Sequence, residues 1–522
     1  MFNSMVKVTI TLAAATLLAH PAAAGWLQAR SKHFIIYSQG SEPTLREFAT
    51  RIEALDASLR MISNSSDREG IESNPVTIFI MPSIAAIRSI YGEKGSQIAG
   101  FYVPRVEGSV AFTPAKTDQG GGMNRGGNPF SPSVVLYHEY GHHFLLGNFS
   151  VAYPAWFSEG YAEVVSTTSF NKDNSEIMLG LPANHRAYTL FHGKALSVEQ
   201  LLASSNQRMN DEQVADLYAR GWLITHYVMF NRERADKFSS YIKALNKGTP
   251  SLEAARAAFG DLKAFDKDLQ RYMDGRLPGF RFPLKTSDLP AITIQPLSEG
   301  ADAMMASRMR STRGVDTARA AKVFAQGMQI GARYPDDPVV QAWLAEMAYD
   351  ADDDAAAAAA ADRALAKDPK SIQALLYKAR VLLRQAKKAN ADAKAWTAAR
   401  SWIVKANRVD PDVAATLALF YSSFLMQDTT PSASAVAGLE RAFELVPQDP
   451  GLRFMLARQE IKDSKIDLAR SLLSPLAYDP HASSGSPVVK LLADLTAGKH
   501  GQQALQAFDA AVAKQGEPAK TD

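Results

Sequence analysis

Five Asp-Pro pairs, beginning at Asp337, Asp368, Asp410, Asp449 and Asp479, recur through the second half of this 522-residue chain at intervals of 31, 42, 39 and 30 residues. Similar helical segments precede several of them: DRALAKDP, WIVKANRVDP and LERAFELVPQDP. This period restricts the fold more than any other feature. A unit of about 30 to 45 residues cannot bury a core alone, so successive units must stack and share one. Alanine lets paired helices approach closely, and a proline that cannot continue a helix marks the turn.

The pattern resembles tetratricopeptide repeats, helix pairs of about 34 residues. The resemblance covers roughly Ala301 to Lys514, with insertions near Lys387 to Asp392 and Asp428 to Ser434, and no single repeat carries the full consensus. It implies an all-α helical-repeat solenoid over 301–515, able to hold a protein partner or substrate. A short tail, 516–522, is expected to be disordered.

Charge excludes some partners. With 57 basic against 54 acidic residues and no long run of either sign, neither nucleic acid nor an anionic membrane is expected. The 46% apolar composition supports packed cores. Lys7, the apolar run Val8 to Leu18 and the small residues Ala22-Ala23-Ala24 before Gly25 read as a secretory signal peptide over 1–24. With no cysteine there is neither a disulfide nor a thiolate nucleophile. These features predict an exported protein, bacterial periplasmic or extracellular, with no membrane-spanning segment in the mature chain.

Between leader and repeats the chain alternates strand and helix signals. His33 to Ser38, Val76 to Met81, Ala99 to Val103 and Ser109 to Pro114 read as strands, the last two as a hairpin. Leu45 to Ile62, with apolar residues at three- and four-residue spacing, and Ser83 to Tyr91 read as helices. The glycine-dense loop Thr117 to Asn128 is either a flap or a solvated connector. Helical patterns fill Val198 to Leu202, Asp211 to Asn231, Ala235 to Leu245, Leu252 to Phe259 and Leu262 to Met273, and the prolines at 283, 290 and 296 suggest a linker over 283–300.

The chemistry concentrates between Ser131 and Glu163. Ser131 and Pro132 can start a helix that Gly147 ends, and that helix carries His138-Glu139-Tyr140-Gly141-His142. Two histidines four apart share one helix face and can bind one ion, while Glu139 stands about 100° round the helix. The apolar residues around them predict burial, and Gly141 predicts close approach of another backbone or of a third ligand. His143 points off the metal face and reads as a core or neighbouring polar residue.

Catalytic zinc takes three protein ligands. Leu145 and Asn148 stand where a metzincin needs Gly and His, which excludes that class. Glu159, on the helix that Pro154 starts, is the better third ligand. Glu163, one turn on, can accept the free N–H of His138 or His142.

At these residues the chain resembles the gluzincin metallopeptidases, in which H-E-x-x-H is followed on a second helix by a ligand Glu and an acidic residue four positions later. The spacing to Glu159 is somewhat shorter than in the thermolysin-like and aminopeptidase branches. The resemblance implies an α+β zincin-like catalytic domain over 25–282, with an N-terminal mixed sheet plus helices and a helical C-terminal subdomain. It implies Zn2+ on His138, His142 and Glu159, Glu139 as general base towards a water, and Glu163 as supporting partner. Gluzincins also use a downstream Tyr or His to hold the oxyanion: Tyr218 is the candidate here, with His226 and His185 behind it, against the plain reading of Tyr218 as an aromatic on a buried helix face. The strand Ser109 to Pro114 is the expected sheet edge for an extended peptide substrate.

The expected function is therefore an exported zinc metallopeptidase whose repeats bind substrate or partner. The alternative is a non-catalytic, repeat-based binding or assembly protein with a vestigial peptidase domain. A third reading has the repeats only bracing the catalytic domain.

Overall fold

A computed structural model describes residues 25–92, 99–115, 132–149, 151–193, 196–203, 209–478 and 486–515. The leader reading for 1–24, the glycine loop, the Ser131 cap and the tail 516–522 lie outside the described residues.

A six-stranded mixed sheet stands at the N-terminal end of the structure. Its strands are β1 (Leu27–Arg30), β2 (Phe34–Ser38), β3 (Val76–Met81), β4 (Phe101–Val103), β5 (Val110–Pro114) and a late arrival, Thr293–Pro296, in the order β4-β5-β3-β2-β1-late strand. β2, β3 and β5 run parallel, and β4 and β5 form the expected hairpin. The largely apolar, β-branched character of β3 has its cause in burial on both faces. Val76 and Ile78 join one core with helix α1 (Glu42–Ser63), whereas Phe79 and Met81 join another with α2 (Ile84–Tyr91).

Helix α3 (Pro132–Asn148) carries the motif, and α4 (Ala155–Ser166) returns beside it with all of its residues buried. The hairpin strands Ser169–Phe170 (β6) and Glu176–Leu179 (β7) follow, then helices α5 (Ala187–His192), α6 (Val198–Ala203), α7 (Asp211–Met229), α8 (Arg232–Asn246), α9 (Ser251–Phe259) and α10 (Leu262–Met273). β8 (Phe280–Pro283) completes a second, three-stranded sheet with β6 and β7.

Residues 283–300 do not run as a free linker. Thr293–Pro296 (β9) pairs antiparallel with β1, Leu27 opposite Pro296, and forms a sheet edge. The substrate-edge expectation for Ser109 to Pro114 is also corrected: β5 lies between β3 and β4, so the edge strand on that side is β4.

Helices α11 (Glu299–Arg313) and α12 (Thr317–Gly331) open a run of helix pairs: α13 (Pro338–Asp350) and α14 (Asp354–Lys367), α15 (Ile372–Lys388) and α16 (Ala393–Val409), α17 (Ala414–Met426) and α18 (Ala433–Leu445), α19 (Pro450–Lys462) and α20 (Ile466–Ala477), α21 (Pro487–Thr496) and α22 (Gly501–Gln515). This is a helical-repeat solenoid. Asp337 and Asp449 cap α13 and α19 by accepting backbone N–H groups, with Pro338 and Pro450 at the first helical position. Ala357, Ala360, Ala361 and Ala364 of α14 are completely buried, as close helix pairing requires.

The solenoid also roofs the sheet. Met304, Met305 and Met309 of α11 and Trp343 and Met347 of α13 share one core with Trp26, Phe79 and Phe112. On that face Tyr37, Phe79, Phe112 and Phe101 form a continuous ladder, with successive ring centroids 5.3, 5.0 and 4.6 Å apart. Among the described residues no helix is long and apolar enough to cross a membrane.

Candidate metal centre

Two close helix packings build the site. A side chain on Gly141 would bring its Cβ to 2.9 Å from Ala162 Cα, so the missing side chain is what lets α4 lie against α3. Gly160, on the other face of α4, stands where a Cβ would be 2.2 Å from the Gly221 carbonyl oxygen, which brings α7 in equally closely. The backbone approach that Gly141 implies is therefore present, and α4 is clamped between the motif helix and α7.

This clamp brings three donor atoms together. His138 Nε2 and His142 Nε2 are 3.2 Å apart, and Glu159 Oε2 lies 3.4 Å from the first and 3.5 Å from the second. The three form a compact triangle able to hold a metal ion. The other nitrogen of each ring faces away: His138 Nδ1 is 3.2 Å from Glu163 Oε1, and His142 Nδ1 is 3.5 Å from Ser158 Oγ. Both rings thus present the same nitrogen to one point.

Glu163 is almost fully buried and closely held. His185 Nε2 lies 2.7 Å from its Oε2, and Arg186 donates at 2.7 Å to Oε1 and at 3.2 Å to Oε2. Burial by itself would raise its pKa, but Arg186, His138 and His185 outweigh burial and hold the carboxyl well below the usual carboxylate range. Burial likewise would lower the pKa of His138, yet Glu159 and Glu163 push it up to about 10. Two carboxylates beside one buried imidazole make this a place that favours a cation.

Tyr218 of α7 stacks on His138, with ring centroids 5.6 Å apart, and the Arg186 guanidinium carbon lies 4.8 Å from the Tyr218 centroid. Burial, with Glu159 adding to it, raises the pKa of its phenol, which keeps the proton at neutral pH. Glu139 lines a cleft of about 180 Å3 beside His142.

The two reserve candidates for the oxyanion role stand elsewhere. His185 belongs to the Glu163 cluster, while His226 is buried with Nε2 2.9 Å from the Gly180 carbonyl oxygen and Nδ1 2.8 Å from the Tyr272 hydroxyl. His143 lies off the metal face, its Nδ1 2.7 Å from the Tyr102 hydroxyl, and desolvation lowers its pKa to about 4. Sequence reasoning missed Arg186 and Ser158. Ser158 directly precedes Glu159 and was open to inspection, but Arg186 lies 23 residues beyond Glu163 with no periodic signal connecting them.

Neither the protein families nor the curated proteins compared with this chain give a match. Among solved structures it is similar to a thermophilic TPR protein from Thermus thermophilus, at 18% identity over 37% of this chain and 100% of that one, with a TM-score of 0.31. It is also similar to the MamA RS-1 ArsTM double mutant, at 15% identity over 35% of this chain and 95% of that one, with a TM-score of 0.26.

Proposed function

We propose that the protein is a zinc-dependent metallopeptidase of gluzincin type. The observation that carries this reading is the donor triangle of His138, His142 and Glu159, with sides of 3.2, 3.4 and 3.5 Å. Tetrahedral zinc with bonds of about 2.0 to 2.1 Å separates its ligand atoms by about 3.3 to 3.4 Å. Two imidazoles and one carboxylate are also the donor set of a catalytic zinc peptidase site.

Zinc held there supplies Lewis acidity for a scissile carbonyl and for a water molecule. Glu139 takes the water's proton on its carboxylate and returns it to the departing amine. Tyr218, its phenol protonated, donates a hydrogen bond to the oxygen that gains negative charge. Glu163, anchored by Arg186 and His185, accepts from His138 Nδ1 and so leaves Nε2 directed at the ion. Leu145, Leu146 and Val151 give the cleft an apolar wall that limits water.

The test is Glu139→Gln compared with wild type, each loaded with zinc and assayed on a casein-like substrate. Hydrolysis falls by about 10²- to 10⁴-fold while about one zinc per chain remains bound. Folded wild type without zinc affinity would refute the reading.

A second reading, a repeat-based binding or assembly protein with a non-catalytic zinc domain, draws on the helix pairs that fill the second half of the chain. Against it, part of the solenoid already holds this chain's own β4-β5 turn. Val106 packs against two solenoid cores, Arg380 pairs with Glu107 at 2.7 Å, and Arg105 donates to the Thr312 carbonyl. Equal hydrolysis by wild type and Glu139→Gln would favour this second reading.

A further inference from the structure

The solenoid supplies part of the lining of the cleft that contains Glu139 and His142. Pro450 and Arg453 of α19 and Leu476 of α20 line it, together with Tyr478. Arg453 is the one of these that carries charge. It is 2% exposed, yet it reaches the cleft lining.

Its known contacts leave most of its hydrogen-bonding capacity unused. Nη2 donates a long 3.4 Å bond to the Leu146 carbonyl on the motif helix, and the guanidinium carbon lies 5.2 Å from the Phe443 ring centroid. A guanidinium has five N–H donors. Among the described residues no carboxylate pairs with it, and the charge acting on it is that of Arg68. Burial first, and Arg68 second, lower its pKa to about 10, so it remains a cation at neutral pH.

Three other embedded arginines differ, though not Arg68, which donates to the Gly147 carbonyl. Arg60 meets Asp56 at 2.7 Å, Arg186 meets Glu163 at 2.7 Å, and Arg308 meets Glu346 at 2.6 Å. A buried cation without a counter-ion is destabilising, and a cleft that admits a ligand is a place where the anion can come from outside. The rest of the lining suits a peptide flank: Tyr102, Tyr153 and Tyr478 among apolar side chains.

We propose that Arg453 binds a carboxylate of the peptide in the cleft, so that the solenoid sets the charge preference of the site. That carboxylate is either the chain-terminal one or an Asp or Glu side chain. This inference rests on the peptide-hydrolysis reading of the site, and the experiment below separates the two.

The probe is a fluorescein-labelled hexapeptide of alanine and leucine ending in phenylalanine, titrated by anisotropy into zinc-loaded Glu139→Gln protein, which binds without cleaving. In one arm its free C-terminus is compared with the C-terminal amide. In the other, an amidated peptide with an internal Glu is compared with its Gln counterpart. Loss of the recognised carboxylate weakens binding about tenfold or more in one of the arms, and the responding arm identifies the source. Arg453→Met, its fold checked by a circular dichroism melt, brings the two members of that arm within about twofold, whereas Arg453→Lys keeps part of the preference.

Equal binding in both arms with Arg453 intact overturns the inference, and needs no Arg453 variant to fold. A folded Arg453→Met protein that keeps the preference overturns it as well. If wild type cleaves these peptides but both arms bind equally, the arginine inference falls and hydrolysis stands. Carboxylate preference without cleavage by wild type leaves the arginine inference standing and removes hydrolysis.

Discussion

Among the described residues, two carboxylate-histidine clusters lie against the motif helix, and each offers three ligand atoms within 4.8 Å of one another: His138, His142 and Glu159 in one, His33, Asp56 and Asp67 in the other. Their surroundings differ. In the second cluster the chain supplies the cations. Arg60 Nε lies 2.7 Å from Asp56 and 2.8 Å from Asp67, Lys32 reaches Asp67 at 2.5 Å, and His33 Nδ1 lies 2.7 Å from Glu53. Tyr140 of α3 adds a hydrogen bond to Asp56 at 2.6 Å. In the first cluster the guanidinium of Arg186 is bound to Glu163, behind the ligands, and the ligand atoms converge at 3.2 to 3.5 Å. On the metallopeptidase reading, ligand residue types alone do not make a metal centre; where the counter-charge resides separates a brace from a binding site.

The largest effect that can break this comparison is on metal content. His142→Ala reduces bound zinc from about one per chain to near none by mass spectrometry of the purified protein, while Asp67→Asn leaves it unchanged. Zinc that follows Asp67 instead would reverse the roles of the two clusters.

Next comes stability. Asp56→Ala removes the acceptor of Tyr140 and one of the two carboxylates on Arg60, Asp67 being the other, in a cluster where Asp56 is 1% exposed, and lowers the unfolding free energy by about 3 kcal/mol in urea.

The brace also has a pH signature. Burial would lower the His33 pKa, but Glu53, Asp56 and Asp67 outweigh burial and raise it from 6.5 to about 9. A folded-state pKa above the unfolded one stabilises fully below about pH 6.5, and the contribution disappears as pH rises through about 9. It corresponds to about 3 kcal/mol at most. Urea titrations at pH 6, 8 and 10 should show wild type losing this increment and His33→Gln losing little; parallel losses would remove His33 from the brace.

The smallest effect is behind the ligands. Glu163→Gln weakens zinc affinity about 10- to 100-fold in competition with a chromogenic chelator, without abolishing it. Unchanged affinity would confine Glu163 to holding α4 and the Arg186 segment together.

Local patterns were legible at the residue level. The periods of α1, α7, α9 and α10 place apolar side chains three and four apart, and His138/His142 and Glu159/Glu163 share their helix faces for the same geometric reason. The strands β1, β6, β7, β8 and β9 were not legible. They are two to four residues long, too short to show a period; β6 and β7 pair locally, while β8 and β9 find partners far along the chain, as in Leu27 opposite Pro296.

The same division holds at the site. The sequence by itself determined that two imidazoles and two carboxylates would stand one helical turn apart on two buried helices, because a helix converts spacing directly into direction. It also determined that the second half would stack as helix pairs. Only the tertiary structure decided that β4 rather than β5 forms the edge, that Arg186 anchors Glu163, and that Arg453 enters the cleft from the solenoid to meet the Leu146 carbonyl 307 residues away. Those contacts follow from which surfaces cover one another, and burial across hundreds of residues leaves no period in the sequence to read.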